Sequence, residues 1–213
     1  GLYDSISGDV SRIEQVEMVD QNPIGRSSRS NPVTYVKAWD EIRNLYSALP
    51  GSKAAGLKPA AFSFNVEGGR CETCQGDGEV KIEMQFMADI VLPCESCGGR
   101  RFKQHILDLT WKGKNVAEVL DLSIDEALEF FADQPKIVAR LAPLSAVGLG
   151  YVKLGQSSSS VSGGEAQRIK LASFLIKGNN SKKTLFIFDE PTTGLHFHDI
   201  RKLLASFDAL IAL

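Results

Sequence analysis

The fold expected for this chain is decided by Val161-Ser162-Gly163-Gly164-Glu165-Ala166-Gln167-Arg168 and by Thr184-Leu185-Phe186-Ile187-Phe188-Asp189-Glu190-Pro191, which follows it. Ser162 and Glu165 have the spacing of a capping box, in which a hydroxyl and a carboxylate each accept a backbone N–H of the first helical turn. We therefore expect a helix that begins directly after Ser162. Because the two residues between them are glycines, the N–H groups at this helix start stay open to an anion, above all phosphate.

The second stretch predicts a strand of a parallel sheet. Its four consecutive apolar residues, 185–188, are typical of a strand that helices cover on both faces. Asp189 and Glu190 follow at the carboxyl end, where α/β sheets place ligands. Asp189 could hold Mg²⁺ directly or through water, and Glu190 could orient and deprotonate a water for attack on phosphorus. Each stretch alone is common, so it is their combination that indicates a phosphate site.

Size and composition describe a globular protein with room for one core, or one core plus a small module. The chain has 213 residues, 43% of them hydrophobic, and a formal charge of −2. No apolar run approaches the roughly 20 residues of a membrane helix, and no signal peptide is visible, so we expect a cytoplasmic protein without a membrane partner. The chain opens with Gly1 and stops at Leu213 inside a predicted helix (200–213), which we interpret as a fragment of a longer protein.

All four cysteines fall into two Cys-x-x-Cys pairs. Cys71 and Cys74 form the first pair, Cys94 and Cys97 form the second, and nineteen residues separate the pairs. Two such knuckles complete a tetrahedron of thiolates, so we expect a structural zinc site with no open position for water. Disulfides are the alternative and are uncommon in the cytosol. Apolar and polar residues alternate over 79–92, which predicts a hairpin between the knuckles with a turn at Met87-Ala88-Asp89.

Basic residues cluster on either side of the cysteine pairs. The candidate DNA contacts are Arg100, Arg101, Lys103, Lys53 and Lys58. A basic flank that also carries Phe102 and Trp111 fits a contact with duplex DNA, although solvated faces of this kind are common. Because the net charge is close to neutral, contact with nucleic acid depends on such local patches.

The rest of the chain predicts further elements. The expected strands are 11–20 and 62–66, and the expected helices are 33–49, 116–131 with an N-cap at Ser123, and 136–144. Gly150 to Ser157 has the spacing of a phosphate-binding Walker A loop, but Gln156 replaces its essential lysine. We therefore expect no phosphate role there, and the chain contains no other P-loop sequence.

The motifs SGGEAQRIKLA from Ser162, DEPTTGLH from Asp189 and the paired Cys-x-x-Cys sequences resemble the carboxyl-terminal half of the UvrA family. These ABC-type ATPases are the damage-recognition subunits of bacterial excision-repair nucleases. The resemblance extends from about Asp20 to Leu213. It implies an α/β and α+β fold: part of an ABC-type ATPase domain, with its signature subdomain and Walker B strand, carrying an inserted zinc-binding β-hairpin module. The implied divisions are 1–66 and 115–213 for the ATPase domain and 67–114 for the zinc insertion.

The resemblance also implies roles for residues. Ser162, Gly163, Gly164 and Glu165 would close over the γ-phosphate of ATP held by another domain, and Asp189 and Glu190 would serve the Mg²⁺ and ATP of their own domain. Gln21 would be the Q-loop glutamine that senses Mg²⁺ and the γ-phosphate; a loop glutamine bonded to its own backbone is the alternative. The family keeps its P-loop upstream of this segment, so we do not expect the fragment alone to hydrolyse ATP.

The partners that the resemblance implies are duplex DNA with lesions, a second copy of the full-length protein and a UvrB-type repair subunit, in the setting of excision repair and the SOS response. One departure concerns DNA, because Ala55 and Ala61 stand where the family usually has arginines. Two other functions remain open: a zinc-dependent DNA-binding module without an ATPase role, and an ATPase subunit of a transporter, against which the cysteine insertion counts.

Overall fold

The computed structural model describes residues 4–5, 7–25, 27, 29–84, 90–178 and 183–213. Its strands are β1 (Gln15–Val19), β2 (Glu79–Ile82), β3 (Ile90–Pro93) and β4 (Thr184–Phe188). Its α-helices are α1 (Pro32–Tyr35), α2 (Ala38–Ser47), α3 (Pro50–Ala54), α4 (Gln104–Leu107), α5 (Val116–Leu120), α6 (Ile124–Phe130), α7 (Pro135–Ala146), α8 (Gly163–Lys177) and α9 (Phe197–Ala212). Two short 3₁₀ turns cover Val10–Arg12 and Pro59–Phe62.

Two separate two-stranded sheets are formed. β1 and β4 pair in parallel, from Gln15 opposite Thr184 to Val19 opposite Phe188, so their carboxyl ends lie side by side. β2 and β3 pair antiparallel, from Glu79 opposite Pro93 to Ile82 opposite Ile90. This second sheet is the hairpin expected between the cysteine pairs. Its predicted turn at 87–89 lies outside the described residues.

The main core is helical, and α8 joins it to the parallel sheet. Trp39, Phe64 and Phe102 pack together at its centre, with the Trp39 and Phe64 rings 5.5 Å apart. The Trp39 indole Nε1 donates to the Phe62 carbonyl at 3.2 Å, which satisfies the one polar group of a buried ring. At the other side of the core, Phe174 of α8 packs edge-on against Phe186 of β4.

The predicted helices near the motifs are confirmed. α8 begins directly after Ser162, and its C-cap is Gly178. α7 covers the helix expected at 136–144, and α9 covers the one expected at 200–213. Ser123 is an N-cap with a complete capping box, as its sequence predicts. Because that cap starts α6, the single helix expected over 116–131 is instead the pair α5 and α6.

Three other expectations are corrected. The helix expected at 33–49 is divided into α1 and α2, because Lys37 adopts a left-handed backbone conformation with φ 61°. The strand expected at 62–66 is absent: Phe62 ends a 3₁₀ turn, and Phe62, Ser63 and Phe64 are all buried, so burial here does not alternate as it does in a half-buried strand. The strand expected at 11–20 is limited to β1.

Among the described residues, helices cover one face of β4, and the expectation that helices cover both faces stays a prediction for the other face. One face of the β1–β4 pair packs against α8 and α9, where Phe188 and Phe207 lie 4.6 Å apart. On the other face Leu185 and Ile187 are each 43% exposed, and their β1 partners Val16 and Met18 are each 57% exposed.

In the described part of the chain, no helix combines the length and the apolar character needed to cross a bilayer.

Candidate functional site

The start of α8, which we call the helix tip (Ser162–Glu165), is closed by its own side chains. Ser162 Oγ accepts from the Glu165 backbone N–H at 3.3 Å, and Glu165 Oε2 accepts from the Ser162 N–H at 2.8 Å. Among the described residues, the N–H groups of Gly163 and Gly164 have no hydrogen-bond partner. Two free donors at the positive end of a 15-residue helix form an arrangement that favours an anion.

A buried glutamine ties this helix to the carboxyl ends of both parallel strands. Gln167 Nε2 donates to the Val19 carbonyl at 2.7 Å and to the Asp189 carbonyl at 2.9 Å. Its side chain is only 3% exposed. Gln167 had no predicted role, although a polar residue among the apolar residues of a predicted helix is a usable signal, because buried amides need partners. Through these two bonds the helix tip and the strand ends are held in a fixed relation.

The loop that leaves β1 lies against the helix tip. Lys170 of α8 forms an ion pair with Asp20 and donates to the Asn22 carbonyl at 2.8 Å. This hydrogen bond from Lys170 lowers the pKa of Asp20, although burial opposes the shift. The next residue, Gln21, is exposed, and its Oε1 lies 3.0 Å from where a Cβ on Gly163 would stand. The structure therefore brings Gln21 to the helix tip.

The alternative for Gln21, a side chain bonded to its own loop, has no support: within the described ranges this amide has no hydrogen-bond partner. Glycine at 163 allows this close approach, because a Cβ there would lie only 3.0 Å from the Gln21 side chain, which would have to shift. Gln21 and Gly163 are thus neighbours at the helix tip, a proximity that neither the sequence pattern nor the family resemblance predicted.

Asp189 and Glu190 stand at the carboxyl end of β4, where the sequence places them, and both are exposed. Glu190 has a left-handed backbone with φ 44°, a conformation that costs a non-glycine residue about 1 kcal/mol. Thr193 Oγ1 donates to Glu190 Oε2 at 3.2 Å. The Thr193 carbonyl lies 3.8 Å from the Cβ position of Gly164, so the turn after β4 also borders the helix tip.

The four cysteines form one buried cluster away from the helix tip. All four Sγ atoms lie within 4.8 Å of one another, with Cys71 and Cys94 at 3.9 Å and Cys74 and Cys97 at 3.7 Å. A tetrahedron with metal–sulfur bonds of about 2.3 Å has sulfurs roughly 3.8 Å apart, which matches these pairs. All four are free thiols, so the disulfide alternative does not describe this structure. The cluster could bind a metal ion.

The backbone of each knuckle turns towards its sulfurs. Gly78 N–H donates to Cys74 Sγ at 3.3 Å. Gly76 has φ 89°, and a Cβ there would stand 2.0 Å from the Phe64 carbonyl oxygen, so only glycine fits. Burial raises the pKa of the Cys71 thiol, but backbone N–H groups outweigh it and lower the value to about 7. Burial raises that of Cys97 to about 12, helped by neighbouring sulfurs.

The basic residues proposed for DNA are not equivalent. Arg100, Lys53 and Lys58 are exposed, while Lys103 forms an ion pair with Glu72. Arg101 is a correction: its Nη2 donates to the Gly155 carbonyl at 3.2 Å, its guanidinium lies over the Phe64 ring, and its buried Nη1 has no hydrogen-bond partner among the described residues. Arg101 therefore connects the cysteine module to the core and is not part of an exposed basic surface.

Together these features define a mixed α/β protein in which a module with four clustered cysteines, able to bind a metal ion, accompanies a helix with free amide donors at its start. UvrABC system protein A of Methanothermobacter thermautotrophicus is 51% identical to the chain over 211 residues, 99% of the chain and 22% of that protein. The protein of the same name from Agrobacterium fabrum is 52% identical over 209 residues, 98% of the chain and 21% of that protein.

The crystal structure of UvrA2 from Deinococcus radiodurans superposes with a TM-score of 0.90 at 46% identity, covering 97% of this chain and 25% of that one. No protein-family model matches the chain. The chain belongs to the UvrA family, and it spans about a fifth of the length of the curated relatives it matches.

Proposed function

We propose that this chain is the part of a UvrA-type excision-repair protein that carries the signature motif and the Walker B strand of its second ATPase domain, with the zinc module of that domain. The single observation that carries the proposal is the placement of Gln167, which joins an exposed helix tip with free donors to the strand end that bears Asp189 and Glu190. Family membership supports the same assignment. In the complete protein this segment would help to couple ATP hydrolysis to the protein's action on damaged DNA.

The site residues of this chain act on two different ATP molecules. The helix tip closes over the γ-phosphate of ATP bound by the other ATPase domain, since its two unpaired amides and helix dipole favour negative charge. Asp189 and Glu190 serve the nucleotide of their own domain: Asp189 holds Mg²⁺, and Glu190 takes the proton of the attacking water. Gln21, next to Gly163, responds to the state of that nucleotide. This segment contains no P-loop sequence, so alone it does not turn over ATP.

The cysteine cluster holds zinc in this proposal. Four thiolates in a buried tetrahedral arrangement are the donor set of structural zinc sites, and they leave no position for a substrate. When bound, the zinc supplies folding energy and no chemistry. Cys71, Cys74, Cys94 and Cys97 would hold it, and the boundaries 1–66, 67–114 and 115–213 separate this module from the ATPase segments before and after it.

Changing the helix tip tests the proposal. A Gly164→Asp variant of the complete protein should lose about 10- to 100-fold in kcat for ATP hydrolysis, because its carboxylate occupies the place proposed for phosphate. The position has room for a side chain, its nearest neighbour being the Thr193 carbonyl at 3.8 Å. Acidic residues in the first turn stabilise helices, so a folding defect is not expected.

Gly164→Ala is the matched control, since it adds the same Cβ without the charge and should retain most of the activity. Steady-state hydrolysis and circular dichroism of both variants provide the measurement. Equal rates of ATP hydrolysis in the aspartate and alanine variants would show that the helix tip is not part of the nucleotide site.

The exposed basic residues support a DNA contact, which is the second part of the proposal. Replacing Arg100 and Lys58 with alanine should weaken binding to any duplex sequence and reduce the salt slope of log K by about 0.9 for each lost phosphate contact. Fluorescence anisotropy at several salt concentrations measures both. Arg140 of α7 and Lys177 of α8 lie outside the proposed surface, so their double alanine variant is the control of equal charge. Identical slopes for the two variants would exclude the proposed surface.

A further inference from the structure

The segment Gly148–Gly155, here called the 150-loop, is a rigid platform beside α8. Its backbone is bonded to the α5–α6 connection: Asp125 N–H donates to the Gly150 carbonyl at 2.9 Å, and Ile124 N–H to the Val152 carbonyl at 2.9 Å. Gly155 N–H donates to the Leu120 carbonyl at 2.8 Å. A Cβ on Gly150 would lie 2.0 Å from the Asp125 carboxylate, so the chain is pressed closely against α6. This is the stretch whose sequence has the spacing of a Walker A loop but not its lysine.

One side chain of this platform reaches the helix tip. Tyr151 is 64% exposed, yet its hydroxyl donates to Glu165 Oε1 at 2.6 Å. The other oxygen of that carboxylate, Oε2, accepts from the Ser162 N–H and from Ser162 Oγ at 2.9 Å. Both oxygens of Glu165 are therefore held from opposite sides, one by the cap and one by the 150-loop.

The charge of Glu165 explains why its carboxylate needs the hydrogen bond from Tyr151 in addition to the bonds of the cap. Burial raises the pKa of Glu165, but the bonds from Tyr151 and Ser162 and the charge of Arg168 outweigh it, so the pKa lies below its ordinary value and the group is ionised. An ionised carboxylate beside two free amide donors would be repelled by an incoming phosphate. If it swung away, the cap would open and the first turn of α8 would lose its fixed geometry.

We propose that Tyr151 is a positioning residue for the helix tip: its hydroxyl bond to Glu165 holds that carboxylate in the cap while Gly163 and Gly164 receive phosphate. This inference rests on the proposed function of the tip. Burial and the neighbouring Glu165 raise the pKa of Tyr151, so the hydroxyl stays protonated and remains a donor at neutral pH. Because the hydrogen bond between Tyr151 and Glu165 is at the surface, it contributes little to the free energy of unfolding. Its effect is confined to the helix tip.

Two measurements test the inference. In this chain, the Glu165 carboxyl is titrated by carbon NMR in the unchanged protein and in Tyr151→Phe, which removes only the hydroxyl. Its pKa should rise in the variant, because a bond to the ionised form is lost. Tyr35→Phe is the matched control: Tyr35 interacts with Ser173, farther along α8, and its loss should leave Glu165 unchanged. An unaltered Glu165 titration in Tyr151→Phe overturns the inference.

The second measurement uses ATP hydrolysis by the complete UvrA-type protein. Tyr151→Phe should lower kcat about tenfold, which is about 1.4 kcal/mol, with KM for ATP within about twofold, since the tip acts in the closed state. In a Glu165→Ala background the same change should have no effect, because nothing remains to be positioned. A normal kcat in Tyr151→Phe, with hydrolysis still abolished by Glu190→Gln, overturns the inference and leaves the proposed function intact. Normal hydrolysis in Glu190→Gln overturns both.

Discussion

A Cys94→Ser variant should lose its bound metal and the ordered structure of residues 71–97, while α8 keeps its protection from hydrogen exchange. The metal content, measured by plasma mass spectrometry, should fall from about one equivalent per chain to nearly none. The reason is that, among the described residues of 71–97, the four cysteines are the only buried hydrophobic residues. All eight residues of β2 and β3 are exposed, and the four cysteines form a buried cluster separate from the main core.

The size of the effect follows from the coupling of metal binding to folding. Structural zinc contributes roughly 10–16 kcal/mol of apparent binding free energy, and in a module without a core most of that is folding free energy. The rest of the chain has its own buried side chains, such as Ile42, Leu141 and Ile169. We therefore expect two separable transitions when the metal is removed by a chelator.

Ser96→Ala is the matched control for the cysteine variant. Ser96 Oγ lies 2.8 Å from Thr73 Oγ1 in the same pair of knuckles. The Ser96 side chain is exposed and has no sulfur to offer a metal ion. Metal content and hydrogen exchange should be close to those of the unchanged chain. A single global transition on chelation, or a Cys94→Ser chain that retains its metal, would contradict the picture of a module held together by its thiolates.

The second large effect concerns catalysis. Glu190→Gln in the complete UvrA-type protein should lower the rate of ATP hydrolysis at the nucleotide site of its own domain about 100- to 10,000-fold, the range in which a general base contributes, while ATP binding persists. The side chains have nearly the same shape, and the amide can keep a bond with Thr193, whose hydroxyl donates to Glu190 in this structure. The loss is therefore one of proton acceptance and not of folding.

Phosphate release measures hydrolysis, and a fluorescent ATP analogue measures binding. Glu129→Gln is the control, because Glu129 is an exposed glutamate of α6 outside the proposed site. The isolated chain of 213 residues should show no hydrolysis in either form. Hydrolysis by the isolated chain that disappears with Glu190→Gln would refute the division of work between domains. Normal DNA repair by the complete Glu190→Gln protein would favour the alternative, a DNA-binding module without an ATPase role.

Local chemistry made several features of the fold predictable. The cap of α8 follows from Ser162 and Glu165, because the required atoms lie within four residues of each other. The cysteine cluster follows from two knuckles whose spacing is a property of the sequence. Periodicity located α7 and α9 for the same reason: the signal and the structure that it predicts occupy the same short segment.

The features that the sequence did not predict have a different cause: they depend on contacts between distant segments. Arg101 looks like any basic residue until Gly155 and Phe64 are placed beside it. Gln167 and Tyr151 acquire their importance only when the strand ends and the cap are brought near them. Sequence patterns identify chemistry within one segment, and tertiary structure decides which pieces meet.

The left-handed backbone of Glu190 has a consequence for the evolution of this site. Glycine adopts φ 44° without penalty, and asparagine tolerates it better than glutamate does, so folding alone would favour replacing this residue. A β-branched side chain there would be strained more severely. Natural variation at this position therefore faces a trade-off between conformational ease and the carboxylate, and a retained glutamate marks selection for something other than stability.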